Sequence, residues 1–296
     1  MFDAERSQIA VEGRVFLDLN SDEVTADTVY DVASLTKVMA TTPVIRRLVE
    51  DGHLDLTSQV GEFVPECAWP HVTVEQLLRH ESGLPPYFEC APPQGREVQD
   101  QVMFATQATG TGQTLYSCLN FIALQVLAEK VTGRGLDRLF QDWVARPLGL
   151  ASSGFGLGAV AAPTGASPGE VHDPACAARG GVSGNAGLYS TITDVVRFGQ
   201  SVLREEPSIW TQIRPLRRGL GWDCASPGGL MEQAGWDAAT IGHTGFTGCS
   251  LWLDLAKKRG CALLSNRTVL DPDAVHIHKV RSWVAELYRW TYFSVD

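Results

Sequence analysis

Ser34-Leu-Thr-Lys37 pairs a hydroxyl with an amine three residues on. If the segment is helical, side chains at that spacing share a face, so the Lys37 nitrogen reaches the Ser34 oxygen. A serine hydroxyl is a weak nucleophile until a base stands beside it. The strand-like Val29-Tyr-Asp-Val32 precedes the pair. A helix opening at Ser34 adds its N-terminal field, which favours a developing oxyanion. Tyr116-Ser-Cys118 offers a second group, because a tyrosine relays a proton once nearby ammonium groups pull its pKa below about 10. Gly242-His-Thr-Gly245-Phe-Thr-Gly248 offers a third. Its glycines let backbone approach a ligand closely. An N–H beyond Gly245 would complete an oxyanion hole with that of Ser34. Taken singly, each segment has a plainer explanation: a helix cap beside a solvated charge, a core tyrosine with a bonded hydroxyl, and a glycine-rich turn.

The periodicity predicts the elements that must position these groups. Residues 9–19 alternate around Glu12-Gly13 and predict a strand pair or bent strand. A helix over 34–51 presents Val38, Val44, Ile45, Leu48 and Val49, with Gly52 at its stop and Pro43 predicting a kink or break. Thr73-Val-Glu-Gln76 has the form of a capping box. Helix 117–132 carries Leu119, Ile122, Ala123, Val126 and Leu127 on one face and ends at Gly133; a second, about 136–146, stops at Pro147. Pro147 to Gly169 is glycine- and proline-rich loop, and a helix follows near 192–203. Residues 250–255 and 261–265, around a Lys257-Lys-Arg-Gly260 turn, predict a β-hairpin. The segment 273–290 predicts an amphipathic helix with Ala274, Ile277, Val280, Val284 and Leu287 inward. Strands at both ends and helices between them imply one sheet built from the two termini. Residues 1–33 and 191–296 would form an α/β sheet region and 34–190 a mostly helical inserted region, with the active site between them.

Composition narrows the function classes. The 296 residues carry 24 basic and 34 acidic side chains, a formal charge of −10, with no basic block. Such a chain is poorly suited to nucleic acid or an anionic membrane. Seven cysteines stand in no C-x-x-C pair, and their odd number fits free thiols in a reducing compartment. The N-terminus shows no basic region followed by an apolar stretch, so a cytoplasmic location is expected. His80 reads as structural. His172 and Asp173 lie in a glycine-rich stretch that carries no assigned chemistry. His276 and His278, two apart on a helix, make a poor metal pair.

In order, and at separations of 82 and 127 residues, Ser34-x-x-Lys37, Tyr116-Ser-Cys118 and His243-Thr-Gly245 resemble the three active-site motifs of class C β-lactamases and their esterase and DD-peptidase relatives. Asp31-Val-Ala-Ser-Leu-Thr-Lys37, Leu77-Leu-Arg-His-Glu-Ser-Gly-Leu-Pro85, Gly180-Gly-Val-Ser-Gly-Asn-Ala-Gly-Leu-Tyr-Ser190 and Gly219-Leu-Gly-Trp222 are similar to that family too. The resemblance implies an α+β, β-lactamase/transpeptidase-like fold, with an antiparallel sheet from both termini flanked by helices. It implies Ser34 as nucleophile and Lys37 and Tyr116 as managers of its proton. Cys118, His243, Thr244, Gly245 and Phe246 would bind substrate, with the Ser34 and Phe246 N–H groups on the oxyanion. The implied partner is a small-molecule acyl substrate, with no metal or cofactor. Two departures stand out. Cys118 replaces a polar residue, often Asn, and a thiol is a weak donor and a weak acceptor. Asn120, two residues along the helix, lies on a different face and is not expected to substitute. His243 replaces a lysine that helps hold a substrate carboxylate, and a histidine is mostly neutral at pH 7. Together they favour a small ester as substrate, with weak β-lactam hydrolysis alongside. A β-lactamase or DD-carboxypeptidase proper, acyl transfer, and a catalytically silent binding protein are the alternatives.

Overall fold

The computed structural model describes residues 1–15, 21–165, 169–211, 218–224, 231, 234–269 and 276–291. Its main sheet has five antiparallel strands: β1 (Phe2–Asp3), β5 (Asp223–Cys224), β6 (Thr240–Thr244), β7 (Ser250–Asp254) and β8 (Arg259–Leu263), in the order β1-β8-β7-β6-β5. The expected joining of the two termini is present, but the N-terminal strand is Phe2–Asp3, paired to Gly260 and Arg259. The predicted strand pair at 9–19 is not there. Its described part, residues 9–15, holds only a bridge between Arg14 and Glu23, and residues 16–19 lie outside the described residues. Phe2 explains the choice: it is fully buried, whereas Val11 is 46% exposed. The β7–β8 hairpin forms as expected, with Lys258 at φ 50 in its turn.

A second sheet of three short strands has the order β2 (Tyr30–Asp31), β4 (Leu188–Ser190), β3 (Gly154–Phe155). β3 lies inside the segment expected to be loop.

Helix α1 (Thr42–Glu50) follows a π-helical turn over Lys37–Thr41. Pro43 therefore neither breaks nor ends the helix. Its missing N–H and the bulk of its ring are absorbed by widening the preceding turn, where the Thr42 N–H bonds the Lys37 carbonyl. The same device recurs downstream. Helix α5 (Leu136–Phe140) widens into a π turn over Gln141–Ala145 and continues past Pro147 through α6 (Arg146–Leu148). The helix stops at Gly149, at left-handed φ 66, rather than at the proline.

The Thr73 capping box opens α2 (Val74–Leu78), and α3 (Arg96–Ala105) follows. Helix α4 (Cys118–Thr132) starts at a Ser117 cap and ends on left-handed Gly133, close to the expected bounds. It was expected to bury one face, yet Leu119 to Ala128 are all buried, including Asn120 and Gln125. Both amides are hydrogen-bonded, which is what makes a helix enclosed all round tolerable. After the short α7 (Pro174–Ala178), α8 (Ile192–Arg204) buries Val195, Phe198, Gly199 and Val202, with Gly199 packed on Phe2 and Leu251. The final helix, α9 (Ile277–Thr291), buries Ile277 and Ala285, but Leu287, expected inward, is 54% exposed. Ala274 lies outside the described residues.

Phe2 fits where neither neighbour has a side chain. A Cβ on Gly199 or Gly260 would come within 2.5 or 2.3 Å of its ring. Phe2→Ala is expected to lower stability by about 3–5 kcal/mol. The check is a urea titration in which the midpoint falls and the slope is unchanged.

Candidate active site

Strand β2 turns into the helix that carries Ser34 through Ala33, which sits at φ 49. That conformation is strained for a residue with a Cβ. The buried Asp31 carboxylate holds it by accepting the Ala33 N–H at 2.8 Å, and its other oxygen accepts the His172 N–H at 2.9 Å. The sharp turn sets Ser34 at the start of a helix with its hydroxyl facing the cleft.

Two side chains meet that hydroxyl. Lys37 Nζ lies 3.0 Å from Ser34 Oγ, and the Tyr116 hydroxyl lies 3.1 Å from it. Lys37 is fully buried. Its remaining contacts are the Asn185 carbonyl oxygen at 2.8 Å and Cys118 Sγ at 3.6 Å. An ammonium has three protons to place, and these are three acceptors. Burial works against the charge on Lys37, but the thiol of Cys118 and the phenol of Tyr116 facing the amine outweigh it and hold Lys37 above its ordinary value. Burial likewise raises the Tyr116 phenol, and here it prevails over the attraction of Lys37. At neutral pH the pair therefore holds an ammonium and a neutral phenol, and it titrates as a unit.

Tyr116 is positioned by His80. The rings lie 4.6 Å apart, and His80, at φ 58, accepts the Ser117 N–H on Nδ1 at 3.0 Å. Asn120 donates to the same nitrogen at 3.2 Å and accepts from Ser82 Oγ at 2.5 Å. Asn120 is thus committed to this support and is unavailable in place of Cys118. The expected structural role of His80 extends to carrying the phenol itself.

His243 stands near Tyr116, with ring centroids 5.9 Å apart. Burial, joined by the charges of Lys37 and Arg218, holds it well below the ordinary imidazole value, so it is neutral at pH 7. Its Nδ1 lies 2.9 Å from the Thr244 carbonyl oxygen, which only accepts, so Nδ1 carries the proton. Nε2 is a buried acceptor without a partner among the described residues.

The turn after β6 comes against the Ser34 turn. A Cβ on Gly245 would lie 2.5 Å from the Val32 carbonyl oxygen, so only glycine fits. Thr247 Oγ1 donates to the Asp31 carbonyl at 2.8 Å. From α9, buried Arg281 donates through Nη2 to the carbonyls of Gly245 and Cys249, both at 2.9 Å. Neither the Ser34 nor the Phe246 N–H has an acceptor among the described residues. That is the condition an oxyanion hole requires. The Phe246 side chain is 57% exposed and stacks on His172 at 5.3 Å.

These groups line one cleft of about 820 Å³. Ser34, Tyr116, Cys118, His243, Thr244, Gly245 and Phe246 all border it, with Lys37 beneath Ser34. His172 and Asp173, left without a role from sequence, border it too, as do Tyr87 and Arg218. Sequence reasoning missed the Asn185 carbonyl, Arg218 and Arg281. The first lies within the Gly180–Ser190 motif and the second directly before Gly219-Leu-Gly-Trp222, but neither motif says which of its atoms reaches the cleft.

A family model described as Beta-lactamase matches residues 7–282. The chain belongs to the β-lactamase family. It is a serine hydrolase of that family. A Bacillus subtilis (strain 168) relative named N-acetylmuramyl-L-alanine amidase is 28% identical over 310 residues, spanning 83% of this chain and 70% of its own. Among solved structures, a class C β-lactamase from Rhodobacter sphaeroides aligns with TM-score 0.71 at 17% identity, covering 94% of this chain and 90% of the other. EstCE1, described as a hydrolase with promiscuous acyltransferase activity, aligns with TM-score 0.69 at 19% identity over 88% and 87%. At such identities these two establish the fold: the β-lactamase/transpeptidase-like arrangement of antiparallel sheet and flanking helices. Among the described residues, no helix is long and apolar enough to cross a membrane.

A fully protonated Lys37–Tyr116 pair cannot take the Ser34 proton until it has lost one of its own. For a neutral ester, kcat/KM should therefore climb from pH 6 to 9, toward a tenfold gain per pH unit on the limb below the first macroscopic pKa of the pair. His243 is already neutral there, so His243→Asn should leave the shape of the curve unchanged. A flat or falling wild-type profile over that range contradicts the assigned protonation.

Proposed function

We propose that this β-lactamase-family hydrolase forms an acyl-enzyme at Ser34 on a small-molecule ester. The observation that supports it is the double contact to one hydroxyl, Lys37 Nζ at 3.0 Å and Tyr116 Oη at 3.1 Å, beside two N–H groups without acceptors among the described residues. Ser34 Oγ attacks the acyl carbonyl and its proton passes to the singly deprotonated Lys37–Tyr116 pair. The oxyanion is held by the Ser34 and Phe246 N–H groups, aided by the helix N-terminal field. Tyr116 then returns a proton to the departing oxygen, and water repeats the sequence in reverse to free the acid.

Two features favour ester over amide. The thiol of Cys118 stands where an amide-type side chain would bond the acyl group, and it faces Lys37. The neutral His243 gives no fixed charge at the third motif. An amide substrate needs firmer holding than an ester, and a thiol and a neutral imidazole supply less of it.

The decisive comparison uses a short-chain p-nitrophenyl ester and a chromogenic cephalosporin. Ester turnover should dominate, and Ser34→Ala should reduce it by on the order of a thousandfold or more. Mass spectrometry of the wild type should show an acyl adduct that the variant lacks. Cephalosporin turnover faster than ester turnover would make the protein a β-lactamase proper; neither turnover nor adduct would make it a binding protein on this scaffold.

Cys118→Asn restores an amide side chain beside Lys37. It should raise cephalosporin turnover relative to ester turnover by about tenfold, the worth of one good hydrogen bond. An unchanged ratio would place residue 118 out of contact with the acyl group.

A further inference from the structure

The two oxyanion donors come from distant segments of chain: the Ser34 N–H just past the end of β2, and the Phe246 N–H in the turn after β6. A hole of this kind works only if both donors are aimed at the point where negative charge develops. A backbone N–H goes where its turn puts it. The relative position of the two is therefore set by whatever joins the two turns.

Asp31 joins them, with its side chain toward one turn and its main chain toward the other. Its Oδ1 accepts the Ala33 N–H at 2.8 Å and so fixes the left-handed residue directly before Ser34. Its carbonyl oxygen accepts the Thr247 hydroxyl at 2.8 Å, from the residue directly after Phe246 and 216 positions along the chain. Thr247 is fully buried and pinned in turn, because its own carbonyl accepts the Arg267 N–H at 3.1 Å and the Ser265 hydroxyl at 3.2 Å. Asp31 Oδ2 makes a third link. It accepts the His172 N–H at 2.9 Å, and the His172 ring stacks on that of Phe246.

These bonds dictate the residue type. Both carboxylate oxygens face a backbone N–H, and at this side-chain length only an ionised carboxylate offers two acceptors and no donor. An Asn would turn its NH2 group against one of the two N–H groups. Asp31 is 1% exposed, and burial pushes its carboxyl up from the ordinary value against the two bonds that pull it down. A charge buried this deeply is unfavourable for folding. What it secures is a left-handed Ala33, which local preference would not supply.

We propose that Asp31 is a positioning residue that holds both oxyanion donors in register, through its carboxylate for the Ser34 N–H and through its carbonyl for the Phe246 N–H. Asp31 does not line the cleft. Its loss should therefore weaken the hold on the transition state and spare ground-state binding. This rests on the Ser34 reading above, and the experiment separates the two.

The measurements are kcat and KM on the short-chain p-nitrophenyl ester, per active site counted by exhaustive fluorophosphonate labelling. Beside them stands Ki for phenylboronic acid, whose tetrahedral adduct with Ser34 Oγ places a boron-bound oxygen in the hole. Asp31→Asn should lower kcat by about tenfold or more and leave KM within about twofold, and Ki should rise by the factor that kcat falls. Thr247→Val removes the hydroxyl at nearly constant shape and should show the same signature from the other turn. Thr247→Ser, which keeps the hydroxyl, should recover most of that loss. A residue that merely stabilised the fold would change the number of labelled sites and not the rate at each. A D31N or T247V protein with wild-type kcat per site and unchanged Ki therefore overturns the proposal, and so does a loss that falls on KM while Ki stays put. T247V carries the test if D31N fails to fold. A wild type that neither turns over the ester nor labels at Ser34 overturns the nucleophile assignment instead.

Discussion

An ammonium sealed inside the protein is the constraint on which this site depends. Lys37 is fully buried, so its charge survives only because every proton it carries has somewhere to go: the Ser34 hydroxyl, the Asn185 carbonyl and the Cys118 sulfur. Each acceptor comes from a different stretch of chain, and each is fixed by its own packing. The phenol of Tyr116 shares the same field, and the neutrality of His243 and His80 reflects it, since Lys37 lies among the charges holding both imidazoles deprotonated. Burial is the larger cause at all three neighbours; the buried cation adds to it at the two imidazoles and opposes it at the phenol.

Much of this was legible in the sequence where chemistry and local structure coincide. Ser34 and Lys37 declare themselves by spacing, and Tyr116 by standing just before a capped helix. His243 and Gly245 are marked by a glycine-rich turn between strands. The hairpin of β7 and β8 and the capping box at Thr73 follow from local rules and appear within a residue or two of expectation. The shared sheet of the two termini was legible as a principle, but its first strand was misplaced. Two residues, Phe2 and Asp3, carry no periodicity, and the alternation at 9–15 turned out to face water.

The remainder was hidden for identifiable reasons. The three-stranded sheet is built from segments of two or three residues, too short to alternate. The Asn185 contribution is a carbonyl, which any residue possesses. Arg218 reads as one more surface charge until the fold sets it on the border of the cleft. Pro147 was misread because a proline constrains the backbone before it, and widening the preceding turn satisfies that constraint as well as stopping the helix does. At Pro43 the expected disturbance takes the same form rather than a break, and there it bears on the site, since the widened turn begins at Lys37 itself.

The clamp formed by Arg281 has a bearing on how the site is assembled. Donors for the proposed oxyanion hole come from residues 34 and 246, while the arginine that fixes the second lies on the last helix, and the sheet beneath it closes with residue 2. On the proposed reading, the turn that carries the second donor is fully braced only when the helix bearing Arg281 is in place, so the two halves of the hole depend on segments that enter the fold far apart in the order of the chain.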